Sequence, residues 1–443
     1  MSHPDLLGQL SGLQTMMADL LTGVPAAEAN ARFHPRLASL GWYLGRSVYR
    51  ELHWLRETLV GDGDLTARVR HLFAISEAEA PVERLPPPDH LLAWATEIQD
   101  EHLHRLATPG ALPPSPLMAD DRLAWFLLQE RARDYEAMLW VLLARRLLSD
   151  PWAEVRSLPG TPEAPGPATA PVPDPAQTSG AGVVSAQVTP RGRPPLPEAS
   201  PPSPSSPAPR LEPQAPSAEA VAITQGHYRV GSRGEPHAYD NELPPQAVEL
   251  ANFRIARRPV TNAEYLGFMT EGGYSRPDLW DEAGKDWLRA RQAQAPWHWR
   301  QDVEGGWLAL GLHGPSALGS EEPVAGLSRH EARAFAAWAA SLGGDLAGAV
   351  MQHEYQWEVA ARAGLIEGTG RVWEWCANPF HPYPDFSPFP TATVGTHFDA
   401  GLGVLRGASL YTQRCLRRAS FRHPAVPDDR FRVAGLRLVL PPT

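Results

Sequence analysis

The chain has 443 residues, 43% hydrophobic and 20% charged, which is enough for about two or three domains of roughly 100–200 residues each. Its 40 basic and 50 acidic residues give a net charge of −10, which argues against nucleic acid as a partner, because phosphate binding requires a clustered basic surface. Two cysteines exclude a disulfide scaffold and a cysteine-rich zinc site. The N-terminus lacks a signal-peptide pattern and no apolar run approaches the roughly 18 residues of a membrane span, so we expect a cytoplasmic protein without membrane contact.

Residues 1–150 have the pattern of a helical bundle. Apolar residues recur at three- and four-residue intervals in 36–59 and again in 121–148. Three consecutive prolines at 86–88 precede another helical stretch near 90–106. Four amphipathic stretches with polar connections predict an antiparallel four-helix bundle.

Residues 151–220 contain 19 prolines interleaved with Ala, Ser and Gly. This composition cannot bury enough apolar surface to offset the conformational entropy lost on ordering. It predicts a disordered, semi-extended linker of polyproline character. The alternative is a recognition site for an SH3-like partner, and a simple tether is the favoured interpretation.

Residues 221–443 alternate short β-type runs with loops rich in Gly, Pro and Trp. Strands are predicted at 226–231, 248–255 and 436–440, and helices at 261–270 and 328–340. This pattern predicts a compact α+β domain with much irregular structure, of the kind that builds its sites on loops.

The second domain carries a series of motifs in a familiar order. They are Tyr239-Asp240-Asn241-Glu242, Pro259-Val260-Thr261-Asn262, Gly272-Gly273-Tyr274, Leu279-Trp280, Pro323-Val324, Glu354-Tyr355-Gln356-Trp357-Glu358, Gly370-Arg371-Val372-Trp373-Glu374-Trp375, Leu405-Arg406-Gly407-Ala408-Ser409 and Ala434-Gly435-Leu436-Arg437-Leu438. The series resembles the formylglycine-generating-enzyme (sulfatase-modifying-factor) type of C-type-lectin-like domain. With the helical first domain, the chain resembles the branch fused to a DinB-like bundle, the ergothioneine-pathway sulfoxide synthases and the related selenoneine synthases.

This resemblance implies an oxygen-dependent, mononuclear non-haem iron enzyme that joins the sulfur of a thiol, or the selenium of a selenosugar, to the imidazole of hercynine. The formylglycine-generating enzymes themselves use two cysteines after the Arg-Gly-Gly-Ser-like motif. Here only Cys415 lies in that region, and Cys376 follows the Trp-Glu-Trp motif, which argues against that activity. Arg371 stands where the family usually has Asn, which argues against a structural calcium ion at that point.

In the family, iron is held by three histidines of the bundle. The first ends a Trp-His-Leu-Gly-His-like motif, and this chain reads Trp42-Tyr43-Leu44-Gly45-Arg46. The other two lie in a Gln-His-x-x-x-His-Tyr-Glu-like motif, where residues 129–136 place Glu130 and Asp134. The resemblance therefore implies that Arg46, Glu130 and Asp134 occupy degenerate ligand positions.

The residue types suggest what replaces the metal. Glu130 and Asp134 are four residues apart and share one face of a helix. Two carboxylates on a core-facing stripe are costly unless they are paired, and the guanidinium fork of Arg46 can bond both. We therefore predict an Arg–Glu–Asp ion cluster in place of iron, with no metal or other cofactor.

In the alternative, Glu130 and Asp134 bind a metal together with a nearby histidine. The guanidinium of Arg46 at the third ligand position would, however, repel a dication. His53 is seven residues beyond Arg46, about 10 Å along a helix, and cannot simply take its place. His102 and His104 are two residues apart, which is typical of surface histidines rather than a ligand pair.

The resemblance also suggests residues on the substrate side. Tyr383 is the candidate proton donor, although a loop tyrosine packed on proline is the simpler interpretation. Asp428 matches the acidic position that holds hercynine, with Pro427 where a Trp is usual. The basic run that includes Arg418 and Arg422 is expected to brace the fold. The triplet at 297–299, Trp-His-Trp, is more typical of a core than of a cage for a quaternary ammonium group.

The leading interpretation is a homologue of sulfoxide and selenoneine synthases that has lost iron and oxygen-dependent activity. Such a pseudoenzyme retains binding of a small zwitterion such as hercynine, or of a protein partner. The first alternative is an active synthase with an atypical metal site, and the second is a structural lectin-like binding module. Whether the chain is an enzyme, which chalcogen it uses and its oligomeric state stay open at this point.

Overall fold

A computed structural model describes residues 4–80, 84–149, 210–235, 237–302, 304–389, 398 and 401–442. Residues 4–149 form a helical domain, and residues 210–442 form a second domain that contains all the strands within these ranges. The expected linker at 151–220 lies outside the described residues up to residue 209. None of the helices in the described ranges is both long and apolar enough to cross a membrane.

The helical pattern predicted for the first domain is confirmed. Its helices are α1 (Pro4–Thr22), α2 (Ala26–Ala29), α3 (Leu40–Glu51), α4 (Asp64–Phe73), α5 (Pro88–Ala107) and α6 (Arg122–Ser149). Both α1 and α3 pack on α5 and on α6, so the four longest helices enclose one apolar core. Short 3₁₀ turns lie at Glu77–Glu79 and Pro116–Asp121.

Helix α3 begins four residues later than the apolar pattern predicts, because the hydroxyl of Ser39 caps it by accepting from the Trp42 amide at 3.3 Å. Its chain continues without a break as a π-helix, Leu52–Thr58. Helix α4 packs against α3 at Gly45, where a Cβ would lie 2.2 Å from the Phe73 ring. Only glycine allows this approach, which lies in the middle of α3 next to Arg46.

The second domain combines four helices with several small sheets in its described part. The helices are α7 (Asn262–Thr270), α8 (Glu282–Arg291), α9 (Arg329–Ser341) and α10 (Glu354–Arg362). The strands are β1 (Ala220–Ile223), β2 (Gly226–Val230), β3 (Gln246–Leu250), β4 (Phe253–Ala256), β5 (Trp299–Gln301), β6 (Trp307–Gly311), β7 (Gly314–Ala317), β8 (Val350–Met351), β9 (Trp373–Pro379), β10 (Gly403–Arg406), β11 (His423–Ala425), β12 (Ala434–Leu436) and β13 (Leu438–Leu440). Short 3₁₀ turns lie at Asp240–Glu242, Gly273–Ser275, Pro277–Leu279, Gly344–Leu346 and Arg414–Leu416.

Two sheets of four strands form the frame of this domain, in the orders β1-β4-β13-β8 and β11-β10-β9-β12. All their neighbouring strands are antiparallel except β9 and β12, which are parallel with Trp375 opposite Leu436. The hairpin β2-β3 and the meander β5-β6-β7 complete the described sheets. The helices expected at 261–270 and 328–340 are found within one residue of those bounds as α7 and α9.

Two of the predicted strands are each divided in the structure. The run 248–255 holds the end of β3 and most of β4, separated at Asn252, whose side chain accepts from the Gln225 amide at 2.6 Å. The run 436–440 is interrupted at Arg437, whose buried guanidinium binds the Glu374 carboxylate at 2.8 and 2.9 Å. The strand is interrupted at Arg437 because its charged side chain must reach a buried partner.

The expected linker boundary at residue 220 is wrong for the eleven residues 210–220. The Gln214 amide donates to the Ala263 carbonyl at 2.9 Å, and the Ser217 amide donates to the Glu264 carboxylate at 2.7 Å. Leu211 is buried, and a Cβ on Gly267 would lie 2.1 Å from the Gln214 carbonyl oxygen. Residues 210–220 therefore belong to the second domain, because their backbone groups find partners there.

The two domains share part of their apolar core. Val372, Phe431 and Val433 of the second domain pack into the core of the helical domain, and the Trp140 ring of α6 lies 5.7 Å from that of Phe431. Helix α6 therefore lies along the boundary between the domains. Polar residues on its first half face both of them.

Candidate functional site

Helix α6 buries an unusual run of polar side chains. They are Gln129, Glu130, Arg131, Asp134 and Glu136, each with 3% or less of its surface exposed. Burying a charge is costly unless it is paired and hydrogen-bonded. The partners of these residues therefore define what this part of the molecule can do.

Asp134 is enclosed by two guanidinium groups from α3. One of its oxygens accepts from Arg46 Nε at 3.2 Å and from Arg46 Nη2 at 2.6 Å, and the other accepts from Arg50 Nη1 at 2.5 Å. Arg46 also pairs with Glu77 at 3.2 Å and lies 4.6 Å over the Trp42 ring. Burial alone would lower the pKa of Arg46, but the negative charges of Asp134 and Glu77 raise it above its ordinary value.

Glu130 is held from both domains. Arg50 Nη2 lies 2.9 Å from one of its oxygens, and the Tyr239 hydroxyl donates to the other at 2.9 Å. Arg133 makes a longer contact at 3.4 Å. Burial alone would raise the pKa of the Glu130 carboxyl, but Arg50 and Arg133 hold it below its ordinary value. The Glu130 carboxylate is therefore stabilised as an anion.

The structure thus brings Arg46, Glu130 and Asp134 into one ion cluster, with one difference from the expected arrangement. The prediction that Arg46 bonds both carboxylates is wrong, because its fork is shared between Asp134 and Glu77. Arg50, one turn further along α3, bridges the two acids instead. The spacing rule that paired the acids also places Arg50 beside Arg46, so the signal was present in the sequence.

The donor set of this cluster does not fit a metal dication. Three guanidinium groups contact the two carboxylates, and within the described ranges no three His, Cys, Asp or Glu side chains converge as a metal site requires. His53 is directed to Glu57, at 2.9 Å between Nδ1 and Oε2, rather than to Asp134. A divalent ion needs lone pairs that Arg46 and Arg50 already occupy.

The expectation of a surface position is wrong for His102, which is 1% exposed. Its Nδ1 lies 3.0 Å from Glu51, and its Nε2 accepts from Arg56 Nε at 3.3 Å, so the ring proton lies on Nδ1. Burial lowers the pKa of His102 to about 4, which keeps the ring neutral. Gln99 and Arg131 also donate to Glu51. This second network joins α3, α5 and α6 and leaves His102 no free lone pair for a metal.

Glu136 extends from α6 into the second domain. Its carboxylate accepts from Trp373 Nε1 at 2.9 Å, from Ser409 Oγ at 2.7 Å and from Thr412 Oγ1 at 2.9 Å. Burial raises the pKa of Glu136, and these neutral donors only partly oppose the shift. Residues from three of the sequence motifs therefore meet at one carboxylate across the domain boundary.

The basic run after residue 413 braces the fold, as its resemblance implied. Arg418 donates to the Glu242 carboxylate at 2.8 Å and to Gln129 of α6 at 2.7 Å, which ties the two domains together. Arg422 makes a two-fold contact with Glu354, at 2.8 Å for each nitrogen. These arginines are occupied and are not a free carboxylate site.

Tyr383 lies in a different part of the second domain. It is 2% exposed, and the Arg422 guanidinium lies 4.2 Å over its ring. Burial raises the pKa of its hydroxyl, which has no hydrogen-bond partner among the described residues. The described contacts of Tyr383 do not include Glu130 or Asp134, so the structure does not bring this candidate to the ion cluster.

Asp428 lies at the domain boundary. His330 Nε2 is 3.2 Å from its carboxylate and Arg36 of the helical domain is 3.6 Å away. The hydrogen bond with His330 lowers the pKa of Asp428. Its described contacts include neither Tyr383 nor the ion cluster. Nearby, His298 and Trp299 are buried and the Trp297 ring contacts that of His34 at 6.0 Å, in keeping with a core and domain-boundary role for the triplet.

Comparison with known proteins shows what the two domains are similar to. Residues 206–369 match the sulfatase-modifying factor enzyme 1-like domain. The chain is 30% identical over 254 residues to hercynine oxygenase of Mycobacterium tuberculosis, which is 47% of this chain and 57% of that protein. It is 29% identical over 272 residues to hercynine oxygenase of Mycolicibacterium smegmatis, which is 49% of this chain and 60% of that protein. Over about half of its length, this chain is similar to the hercynine oxygenases.

The resemblance expected from the motifs is thereby confirmed, over less than two thirds of the length of these relatives. The chain is also 31% identical over 158 residues to the formylglycine-generating enzyme of Thermomonospora curvata, which is 33% of this chain and 49% of that enzyme. Among solved structures, PvdO from Pseudomonas aeruginosa is 18% identical and covers 50% of this chain and 94% of its own, with a TM-score of 0.35.

Proposed function

We propose that this hercynine-oxygenase homologue does not carry out iron-dependent oxygenation and acts instead by binding a small ligand or a partner. The observation that carries this conclusion is Arg50, which bridges Glu130 and Asp134 where the resemblance places two iron ligands. In this scheme the helical domain is DinB-like and the second domain has a C-type-lectin-like fold. The protein acts in the cytoplasm.

The physical reason is competition for the same lone pairs. A dication at this position must displace Arg50 from both acids and Arg46 from Asp134. The displaced guanidinium groups would then be buried beside the metal ion without their acidic partners, which is costly. Carboxylates can hold Fe(II), but three arginines in contact with them remove the charge that would attract it. The cluster therefore stabilises the contact between α3 and α6 in place of a metal.

The ligand proposed for the retained site is a small zwitterion such as hercynine, which the names of the relatives suggest. Asp428 at the domain boundary is the residue proposed to hold its cationic group, as the resemblance implies. Because His330 and Arg36 already contact Asp428, a cationic ligand must compete with both. Whether the second substrate carries sulfur or selenium can be decided only by measuring turnover.

The test combines metal analysis with oxygen uptake. The protein is expressed in iron-rich medium and purified without chelators, and hercynine oxygenase of M. tuberculosis is treated identically as the positive control. We expect iron well below one per chain and no oxygen consumption above a blank with Fe(II), hercynine and cysteine, γ-glutamylcysteine or a selenosugar.

Near-stoichiometric iron, with substrate-dependent turnover above about 0.01 per second against a typical roughly 10 per second, contradicts the proposal. That result favours the first alternative, an active synthase with an atypical metal site, in which Tyr383 is the candidate proton donor. Absence of both turnover and hercynine binding favours the purely structural module.

A further inference from the structure

One histidine from each domain packs against aromatic rings of the other domain. His34 lies in the loop between α2 and α3 of the helical domain, and its ring is 4.8 Å from that of Phe431 and 6.0 Å from that of Trp297. His423 on β11 of the second domain is 5% exposed, and its ring lies 6.4 Å from that of Trp140 on α6. Separation of the two domains would therefore expose both imidazole rings to water.

The basic nitrogen of each ring already accepts a hydrogen bond. The Arg36 amide donates to His34 Nδ1 at 3.2 Å. Arg432 Nη1 lies 2.8 Å from His423 Nε2, and a guanidinium can only donate, so Nε2 carries the lone pair. A proton on either nitrogen would place two donors against each other. Both contacts therefore favour the neutral form of the ring.

The charges that act on the two rings are those of arginines. They are Arg36, Arg291 of α8 and Arg432 for His34, and Arg432 and Arg133 of α6 for His423. The acid between them, Asp429, accepts from Arg36 at 2.7 Å and from Arg432 at 3.3 Å, and neither imidazole pairs with a carboxylate in the described contacts. Burial and these arginines lower the pKa of His34 to about 4 and that of His423 well below its ordinary value.

We propose that acid weakens the contact between the two domains, because His34 and His423 take up protons more readily once the domains have separated. Each histidine stabilises the joined form, with the domains in contact as in the structure, at a pH above its free pKa of about 6.5. This stabilisation is lost as pH falls from about 6.5 toward the lower pKa of the joined form. Each histidine then raises the equilibrium constant for separation by up to about tenfold per pH unit.

Glu136 at the same boundary acts in the opposite direction. Its carboxylate accepts from Trp373 Nε1 at 2.9 Å, and burial raises its pKa, so acid favours the joined form through this group. The pH dependence of the wild-type protein is therefore a sum of opposed contributions. The contribution of the histidines is measured by comparing variants that keep Glu136 and lack one imidazole.

The test follows urea-induced separation of the domains in the full chain at about pH 7.5 and about pH 5.5. Small-angle X-ray scattering measures the increase in radius of gyration, and circular dichroism shows whether the helices persist. The variants His34→Asn and His423→Gln keep an oxygen acceptor near the basic nitrogen, and His227→Asn on the exposed side of β2 is the matched control. Between these pH values, acid should raise the equilibrium constant for separation about tenfold less in each boundary variant than in wild type. The effect of acid should be unchanged in His227→Asn.

A second measurement keeps the test informative if a substitution weakens the fold. In wild-type protein without urea, the imidazole C2 proton resonances assigned to His34 and His423 should keep their positions from about pH 7.5 to about pH 5.5. Movement of both resonances with a midpoint near pH 6.5 would overturn the proposal. So would an equal effect of acid in wild type and in the double variant, or loss of helical signal at the same urea concentration as the expansion.

Discussion

Arg50 shows how much a single side chain can contribute to a buried cluster. It is the one residue in the cluster whose fork reaches both Glu130 and Asp134 in the described contacts. Asp134 has a second guanidinium partner in Arg46, whereas Glu130 depends on Arg50 for its shorter ion pair. Losing Arg50 therefore leaves a buried acid poorly compensated, and losing Arg46 does not.

The first prediction compares these two arginines by urea unfolding. Arg50→Met should lower the free energy of unfolding by roughly 3–5 kcal/mol, the cost of leaving buried acids without their cation. Arg46→Met should cost less, about 1–3 kcal/mol, because Asp134 keeps Arg50. Arg70→Met, which removes an exposed pair with Glu57, is the control and should cost at most about 1 kcal/mol. An Arg50→Met midpoint equal to that of wild type would show that the cluster does not stabilise the fold.

The second prediction concerns pH and Glu136, whose pKa burial raises. A carboxyl with a raised pKa in the folded state contributes stability that is present below the unfolded pKa of about 4.3 and is lost as pH rises through the folded pKa. The difference in unfolding free energy between wild type and Glu136→Gln should therefore fall by about 1 kcal/mol or more from pH 4.5 to pH 7.5. Glu97→Gln, on the exposed side of α5, is the control and should show no such change. A difference that stays constant with pH would mean that Glu136 is not the raised group.

At the residue scale, the sequence predicted the local part of the cluster and missed its non-local part. Spacing of four residues placed Glu130 and Asp134 on one face, and the facing helix supplied Arg46. Tyr239 could not be predicted, because it is 109 residues from Glu130 and reaches it only through packing of the two domains. Burial of His102 was also missed, since its partner Glu51 lies on another helix.

At the scale of elements, α6 contacts three separate partners within the seven residues 130–136. Arg131 donates to Glu51 of α3, Glu130 accepts from Tyr239, and Glu136 accepts from Trp373. The helix is therefore the common support of the helical core and of the domain boundary. A substitution on α6 should therefore affect the stability of both domains.

The third prediction tests this coupling with a double-mutant cycle. Tyr239→Phe removes a hydrogen bond to an ionised carboxylate and should cost about 1.5–3 kcal/mol in unfolding free energy. In the background of Glu130→Gln the same change should cost less, with a coupling energy of about 0.5–3 kcal/mol. Tyr228→Phe is the control, because that hydroxyl donates to the Thr224 carbonyl within the second domain. Additive effects of Tyr239→Phe and Glu130→Gln would contradict a direct contact between the domains.

Elements with a local signal were the ones predicted well. Thr261 and Glu264 form a capping box at α7, and Ser328 and Glu331 form one at α9, so both helices start where the sequence indicates. The meander β5-β6-β7 was not predicted, because its strands are only three to five residues long and show little alternation. Arg437 divides the last predicted strand for a tertiary reason, its contact with Glu374.

At the scale of the whole molecule, the two domains are joined by an apolar core and by polar contacts. Phe431 packs on Trp140, Arg418 bonds Gln129, and Arg36 bonds Asp429. Composition places a proline-rich tether in the chain between the domains. In the structure the second domain already includes residues 210–220, since residues of this segment are hydrogen-bonded to α7.

The fourth prediction is limited proteolysis of the full chain. We expect cleavage within about 155–209 and none within 210–220, as located by mass spectrometry of the fragments. The two fragments should stay together in size-exclusion chromatography, because contacts on α6 hold them without the tether. Addition of moderate urea should separate them. Survival of the intact chain at protease levels that digest casein, or separation of the fragments without denaturant, would contradict this picture.

The bridging position of Arg50 has an evolutionary consequence. A chain in which residues 46, 130 and 134 were all changed to histidine would still carry Arg50 beside them, without acids to pair with and next to any bound dication. Each single change on the way removes one charge from a buried, balanced set and lowers stability before a ligand set is complete. Substitutions at residues 46, 50, 130 and 134 are therefore interdependent. A histidine triad can be reached from this sequence only through less stable intermediates or by changing Arg50 first.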